Sequence, residues 1–158
     1  MTPLKAFGRR LLSLAIVLCG LLTGSAAWAQ AQPHPCAPDG VAVGGYDLVS
    51  YHQPDGPLPG DEAFTAEHDG LSYRFSSAEH LALFQAEPAR YLPRYQGWCA
   101  TNLSFGRLAC PEYTNFKLED GDLLLFEHHG FTNGRSVWNS DPLQHRRSAD
   151  EFFPKLWP

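Results

Sequence analysis

The sequence predicts a small α+β domain of β-hairpins and short helices. Two Asp-Gly dipeptides, Asp69-Gly70 and Asp120-Gly121, each lie between two strand-like runs. That dipeptide tolerates the positive φ values a tight hairpin turn demands. Each hairpin is followed by helix-start chemistry, Ser76 with Glu79 after the first and Asp141-Pro142 after the second. This recurrence of a hairpin and then a helix is the only internal repeat, and the chain has no low-complexity tract.

In chain order, the first 29 residues read as a signal peptide. Lys5, Arg9 and Arg10 form a positive n-region, residues 11–22 an apolar core, and Ala27-Trp28-Ala29 a small-x-small cleavage site. The apolar core falls short of the roughly 20 residues needed to span a bilayer. The mature N-terminus is therefore expected at Gln30, with no membrane span after cleavage. Arg9-Arg10 is a partial twin-arginine pattern, and the general secretory route is favoured over it. Leu18, bulky and directly before Cys19, argues against lipid attachment there. The expected location is the periplasm or outside the cell.

Residues 30–40, QAQPHPCAPDG, form an extended leader, and a domain is expected over 41–158. Gly44-Gly45 breaks the chain, and residues 46–52 have strand-like character. Asp55-Gly56-Pro57 and Pro59-Gly60 are turn chemistry. The first hairpin pairs residues 64–68 with 71–75, where Tyr73 and Phe75 alternate with Arg74. Ser76 is the expected N-cap of the next helix, its hydroxyl accepting the Glu79 amide. That helix should end near Glu87, because Pro88 disfavours helical geometry before it and suits the start of a new turn. A short helix within 97–105, a second hairpin of 114–119 with 122–128, and a helix from Asp141 to about Phe153 complete the chain. Tyr46, Tyr73, Phe75, Phe84, Tyr91, Tyr95 and Trp98 are the expected aromatic core. A subset of them suits a ligand groove.

Charge narrows the classes. Cleavage after Ala29 would remove three basic residues and no acidic one. That leaves nine basic residues against 17 acidic ones, a formal charge of −8 in place of −5. An acidic chain without a basic stripe is a poor fit to nucleic acid or to anionic membrane surfaces. The expected partner is a small ligand or another protein. Three cysteines remain, Cys36, Cys99 and Cys110, and they allow three pairings that each leave one odd sulfur. Without a CxxC, neither a thioredoxin-type site nor a zinc ribbon is indicated. In the leader, Cys36 would make an effective staple.

Three stretches in order, GYDLVSY, YRFSSAEHLALF and EPARYLPRYQGWCA, resemble the YHS domain family, in particular its exported branch with a GYD-x-V-x-Y opening. The resemblance is strongest over 41–100, with Trp157-Pro158 also matching, and 101–158 is a variable extension. It implies a fold related to treble-clef metal-binding domains. It also implies that Cys99, which commonly stands alone in the family, is unpaired, so that Cys36 and Cys110 form the disulfide.

Metal-binding relatives carry three cysteines at positions that fall here on Ser50, Ser76 and His80. Side chains at i and i+4 share a helix face, so two such thiolates meet one soft cation. Hydroxyls are feeble ligands for zinc or copper, and the site the resemblance implies is degenerate. Of the histidines, His52 would share a strand face with Ser50, which makes His80 and His52 the candidate pair for copper or zinc. His80 shares a face with Ser77 and Phe84, which implies partial burial. The chain has no GxSxG, HExxH, Walker or GxGxxG motif. A thiol-dependent enzyme would rely on Cys99, which sits in the apolar setting Trp98-Cys99-Ala100. The reading overall is an exported, non-enzymatic binding or structural module that needs no cofactor. The alternatives are periplasmic copper or zinc handling by His80 and His52, and thiol chemistry at Cys99.

Overall fold

Asp-Gly turns set the frame. In the computed structural model, which describes residues 34–157, Asp69 and Asp120 adopt φ of 49° and 54°, each followed by a positive-φ glycine. The signal peptide expected over 1–29, residues 30–33 of the leader and Pro158 lie outside the described residues. Around Asp69-Gly70, β1 (Asp61–His68) pairs antiparallel with β2 (Leu71–Phe75). Around Asp120-Gly121, β3 (Glu112–Glu119) pairs with β4 (Asp122–Phe126). A third hairpin, β5 (His128–His129) with β6 (Thr132–Asn133), was not expected from the sequence. The described residues form an α+β arrangement of three two-stranded antiparallel hairpins and short helices.

β4 is the wall between two apolar clusters. Leu123 and Leu125 face one cluster with Leu48, Val49, Tyr51, Tyr73, Phe75, Phe84 and Tyr91. Leu124 and Phe126 face the other with Tyr95, Trp98, Leu103, Trp138 and Ala149. Side chains alternate across a strand, so a strand buried on both faces must be apolar at successive positions. The run Leu123, Leu124, Leu125, Phe126 meets that requirement, and each residue is at most 1% exposed. Each such side chain contributes roughly 1.5–3 kcal/mol through burial. Of the aromatic core expected, six members are buried, and Tyr46 packs against the first cluster partly exposed.

The helices follow their caps. α1 (Ala78–Ala86) gives way to α2 (Pro88–Tyr91), with Pro88 at its start as expected. α3 (Ala100–Ser104) falls inside the predicted window. α4 (Gly134–Trp138) is capped by Asn133, whose side chain accepts the Arg135 and Ser136 amides. α5 (Pro142–Leu156) is capped by Asp141, which accepts from the Gln144 amide. It runs past Phe153 because Phe153, Leu156 and Trp157 still pack on the second cluster.

Two expectations are corrected. Residues 46–52 are not a strand. Leu48, Val49, Ser50 and Tyr51 are all buried in succession, and a short 3-10 turn (Ser50–His52) turns them inward together. The cap of α1 is Ser77, which accepts the His80 amide at 3.1 Å, and not Ser76. Ser76 is engaged by a stronger acceptor, described below. A disulfide joins Cys36 to Cys110, with Cα atoms 5.3 Å apart, and ties the leader to the segment before β3. Among the described residues Cys99 is the free cysteine, and it is buried. Among the described residues no helix is long and apolar enough to cross a membrane.

Candidate functional site

Asp47, which sequence reasoning did not single out, is where the candidate positions meet. Its carboxylate is fully buried. Oδ1 accepts the Val49 amide at 2.9 Å and the Ser50 amide at 3.3 Å, which closes the turn leading into residues 50–52. Oδ2 accepts the Ser76 amide at 2.9 Å and the Ser76 hydroxyl at 2.6 Å. It also lies 2.6 Å from His80 Nδ1. The Ser50 hydroxyl donates to the Asp47 carbonyl at 2.6 Å and accepts the Leu58 amide at 2.8 Å. Ser50, Ser76 and His80 are thus brought together, around a carboxylate.

The local chain permits this approach at one tight point. Gly56 passes so close to the turn that a Cβ on it would stand 1.7 Å from the Ser50 carbonyl oxygen. Only glycine fits there. Burial by itself would raise the Asp47 pKa. The hydrogen bonds from the Ser76 hydroxyl and amide, followed by those from His80, outweigh it and hold the carboxyl below its ordinary 3.8.

This geometry has chemical consequences. Oδ2 is ionised and accepting, so the network places a proton on His80 Nδ1, and Nε2 takes no part in it. His80 is 18% exposed at its side chain. Ser76 lies on the same side of the ring, its hydroxyl 3.2 Å from Nδ1 and donating to the carboxylate. A serine nucleophile needs its hydroxyl on the nitrogen that is not held by the acid. Asp47, His80 and Ser76 therefore do not form a nucleophilic triad. Nor do two hydroxyls and an imidazole committed to Asp47 fit the thiolate set of a soft-metal site. Among the described residues, no group of three His, Cys, Asp or Glu side chains is placed to hold a metal ion.

His52 is not brought to this cluster. Its turn sets the ring edge-on to Tyr91, 5.3 Å between centroids, with Nε2 buried and unpartnered. Burial, aided by the nearby Arg90 charge, pushes its pKa below 6.5. Cys99 is fully buried, and its sulfur accepts the Glu127 amide at 3.1 Å and the Asn102 side-chain amide at 3.3 Å. Among the described residues no histidine is hydrogen-bonded to it.

A second feature is a cleft of about 650 Å³ between the leader, the tip of the first hairpin and the segment after α2. Leu71, Tyr73, Leu92, Pro93 and Trp157 give it apolar and aromatic walls. His34 closes one side, its ring packed on Trp98 at 4.7 Å and Trp157 at 5.2 Å. The Cys36 amide donates to His34 Nδ1, so the disulfide-linked leader is fixed at the cleft. Burial pushes the His34 pKa down from 6.5, and the Gln96 backbone opposes this only in part. Of the aromatics from which a groove-lining subset is expected, Tyr73 is the one that lines this cleft. Its other walls come from the leader and the C-terminal segment, far apart in sequence.

No family model, no curated protein and no solved structure matches this chain.

Proposed function

We propose that the chain is an exported, non-enzymatic YHS-like binding module, related to treble-clef domains. Its ligand would seat in the leader cleft, and its former metal positions are given over to the Asp47 cluster. The observation that carries the reading is the cleft. Its 650 Å³ falls within the roughly 300–1,000 Å³ typical of small-molecule sites, and its walls combine Leu71, Tyr73, Leu92, Pro93 and Trp157 with polar and charged side chains. The Asp47 cluster, by contrast, spends its polar groups on one another. Export rests on the n-region, apolar core and Ala27-Trp28-Ala29 of the first 29 residues.

Native mass spectrometry of the exported protein, purified without an affinity tag, tests this. Expected is a mass for residues 30–158 with one disulfide, and a small-molecule adduct lost on gentle activation. An adduct of stoichiometric metal would overturn the reading in favour of a second one. That second reading is copper or zinc handling through His80. One observation favours it: a carboxylate on Nδ1 with Nε2 free is the arrangement in which proteins orient a ligating imidazole. It supplies one ligand of the four that zinc usually takes, and a partner would have to bring the others.

A further inference from the structure

On the reading that the cleft is the binding site, its charges narrow the class of ligand. Three charged side chains line it, Asp69, Arg94 and Asp122. Arg94 is not free to receive an anion. Its Nε and one terminal nitrogen donate to the two Asp150 oxygens at 3.2 and 3.1 Å, and the other terminal nitrogen donates to Asp122 at 2.7 Å. Arg146 also binds Asp122, at 2.7 Å, and extends the network to Glu119, which Lys117 pairs in turn. Three cations and three carboxylates make up this network, which is neutral as a whole.

Asp69 is what remains. It stands at the hairpin tip with its side chain 84% exposed. Its one ion-pair partner among the described residues is His68, 3.5 Å away and charged only when protonated. His34 is kept neutral by burial and adds no positive charge. Leu71, Tyr73, Leu92 and Trp157 line the same cleft as Asp69.

We propose that the cleft binds a small organic cation, an ammonium carried on an apolar or aromatic body, with the charge at Asp69 and the body against Tyr73, Leu92 and Trp157. Ring faces attract ammonium groups through their quadrupole, and an acidic chain raises the local concentration of cations. An anion of the same shape meets Asp69, and among the described residues that line the cleft no free cation receives it.

The test uses the mature, oxidised protein and three probes of one shape: benzylammonium, benzyl alcohol and benzoate. Chemical shifts of the Leu71 and Leu92 amides and the Trp157 indole report occupancy of the cleft. Expected is that benzylammonium binds there about five- to ten-fold more tightly than benzyl alcohol, the size of one partly exposed charge contact with an aromatic wall. High salt should erode that preference. Asp69→Asn should reduce it to about two-fold or less, the share left to the aromatic wall, and leave benzyl alcohol unchanged. Asparagine tolerates the left-handed backbone at this position, so the variant keeps the turn. Benzyl alcohol or benzoate binding as tightly as benzylammonium would overturn the cation class while sparing the cleft as a site. An unchanged preference in Asp69→Asn would overturn it as well. If none of the three probes moves the cleft resonances, the class and the cleft reading both fail.

Discussion

Replacing Asp47 separates a structural hub from an idle surface acid. The carboxylate satisfies three backbone amides, the Ser76 hydroxyl and the His80 ring. Hydrogen bonds to a charged acceptor are worth about 1.5–3 kcal/mol each, and a buried donor left unsatisfied costs about 1–3. The donors are neighbours and their losses do not add. Asp47→Ala is therefore expected to cost about 3–5 kcal/mol, because it leaves three backbone amides without their charged acceptor. Asp47→Asn turns its NH2 toward three donors. The Ser76 hydroxyl can rotate and the imidazole can change tautomer, but the Ser76 amide keeps no partner. About 2–3 kcal/mol follows from that orphan and the lost charge. Ser77→Ala removes only a cap and should cost about 1 kcal/mol. Urea unfolding at pH 7 with the disulfide intact measures all three. The folded-state pKa of Asp47 is depressed, so its stabilisation is present above 3.8 and fades as pH falls through the lower folded value. The gap between wild type and Asp47→Asn should close at acid pH. An Asp47→Ala variant within about 1 kcal/mol of wild type would show that the cluster does not hold the fold.

Three other outcomes are expected. His52 has a lowered pKa, so its neutral form is favoured in the folded state. Stability should fall as pH drops below 6.5, and His52→Phe, which keeps an aromatic edge on Tyr91, should make melting temperature less sensitive between neutral and mildly acid pH. Non-reducing peptide maps should recover the leader linked to the Cys110 peptide. Changing both cysteines to serine should cost up to roughly 4.5 kcal/mol, the loop-entropy figure for a separation of 74 residues. Chelator should leave melting temperature unchanged, whereas Ser76→Ala should lower it, with a loss of about 1.5–3 kcal/mol in unfolding free energy through the lost carboxylate contact. A chelator-induced collapse would move the metal reading to first place.

How far the sequence reaches depends on the range of the interactions. The first two hairpins are legible because Asp-Gly and its flanking runs are local. The third is not, since two-residue strands carry no periodicity to read, and Gly130 alone marks the turn. In residues 46–52, Leu48 and Val49 pattern as strand but are buried side by side, which an alternating strand facing solvent on one side cannot achieve. Asp47 is a signal that was available in part. An Asp three residues before Ser50, ahead of a turn, suits an Asx-type cap. Its larger role comes from Ser76 and His80, 29 and 33 residues away, and nothing local encodes that meeting. Taking Ser76 as a cap failed for the same reason. A buried carboxylate outbids a helix amide for the hydroxyl, because charged acceptors form the stronger bond.

Under the YHS-like reading, the Asp47 cluster also explains how three ligand positions can lose their thiolates without the segments coming apart. A soft metal joins residues 50, 76 and 80 through thiolate bonds. A carboxylate has about four lone-pair sites and can join the same segments through hydrogen bonds. Each contact is weaker than a metal bond, so the exchange holds only where the acceptor is shielded from water and fully supplied with donors. Asp47 is at 0% exposure with donors on both oxygens, which meets both conditions. The exchange also changes what the segment answers to. A thiolate site responds to metal supply and oxidant, whereas hydroxyls and a carboxylate respond to neither. In an oxidising compartment, that leaves covalent stapling to Cys36 and Cys110, where Cys36 packs on the second core beside the cleft. A triple variant, Ser50→Cys with Ser76→Cys and His80→Cys, examines the equivalence directly. With Asp47 in place it should fold without metal. Combined with Asp47→Ala it should fold only when zinc is supplied. Metal-independent folding of the quadruple variant would mean that the segments are held by something other than what meets at residue 47.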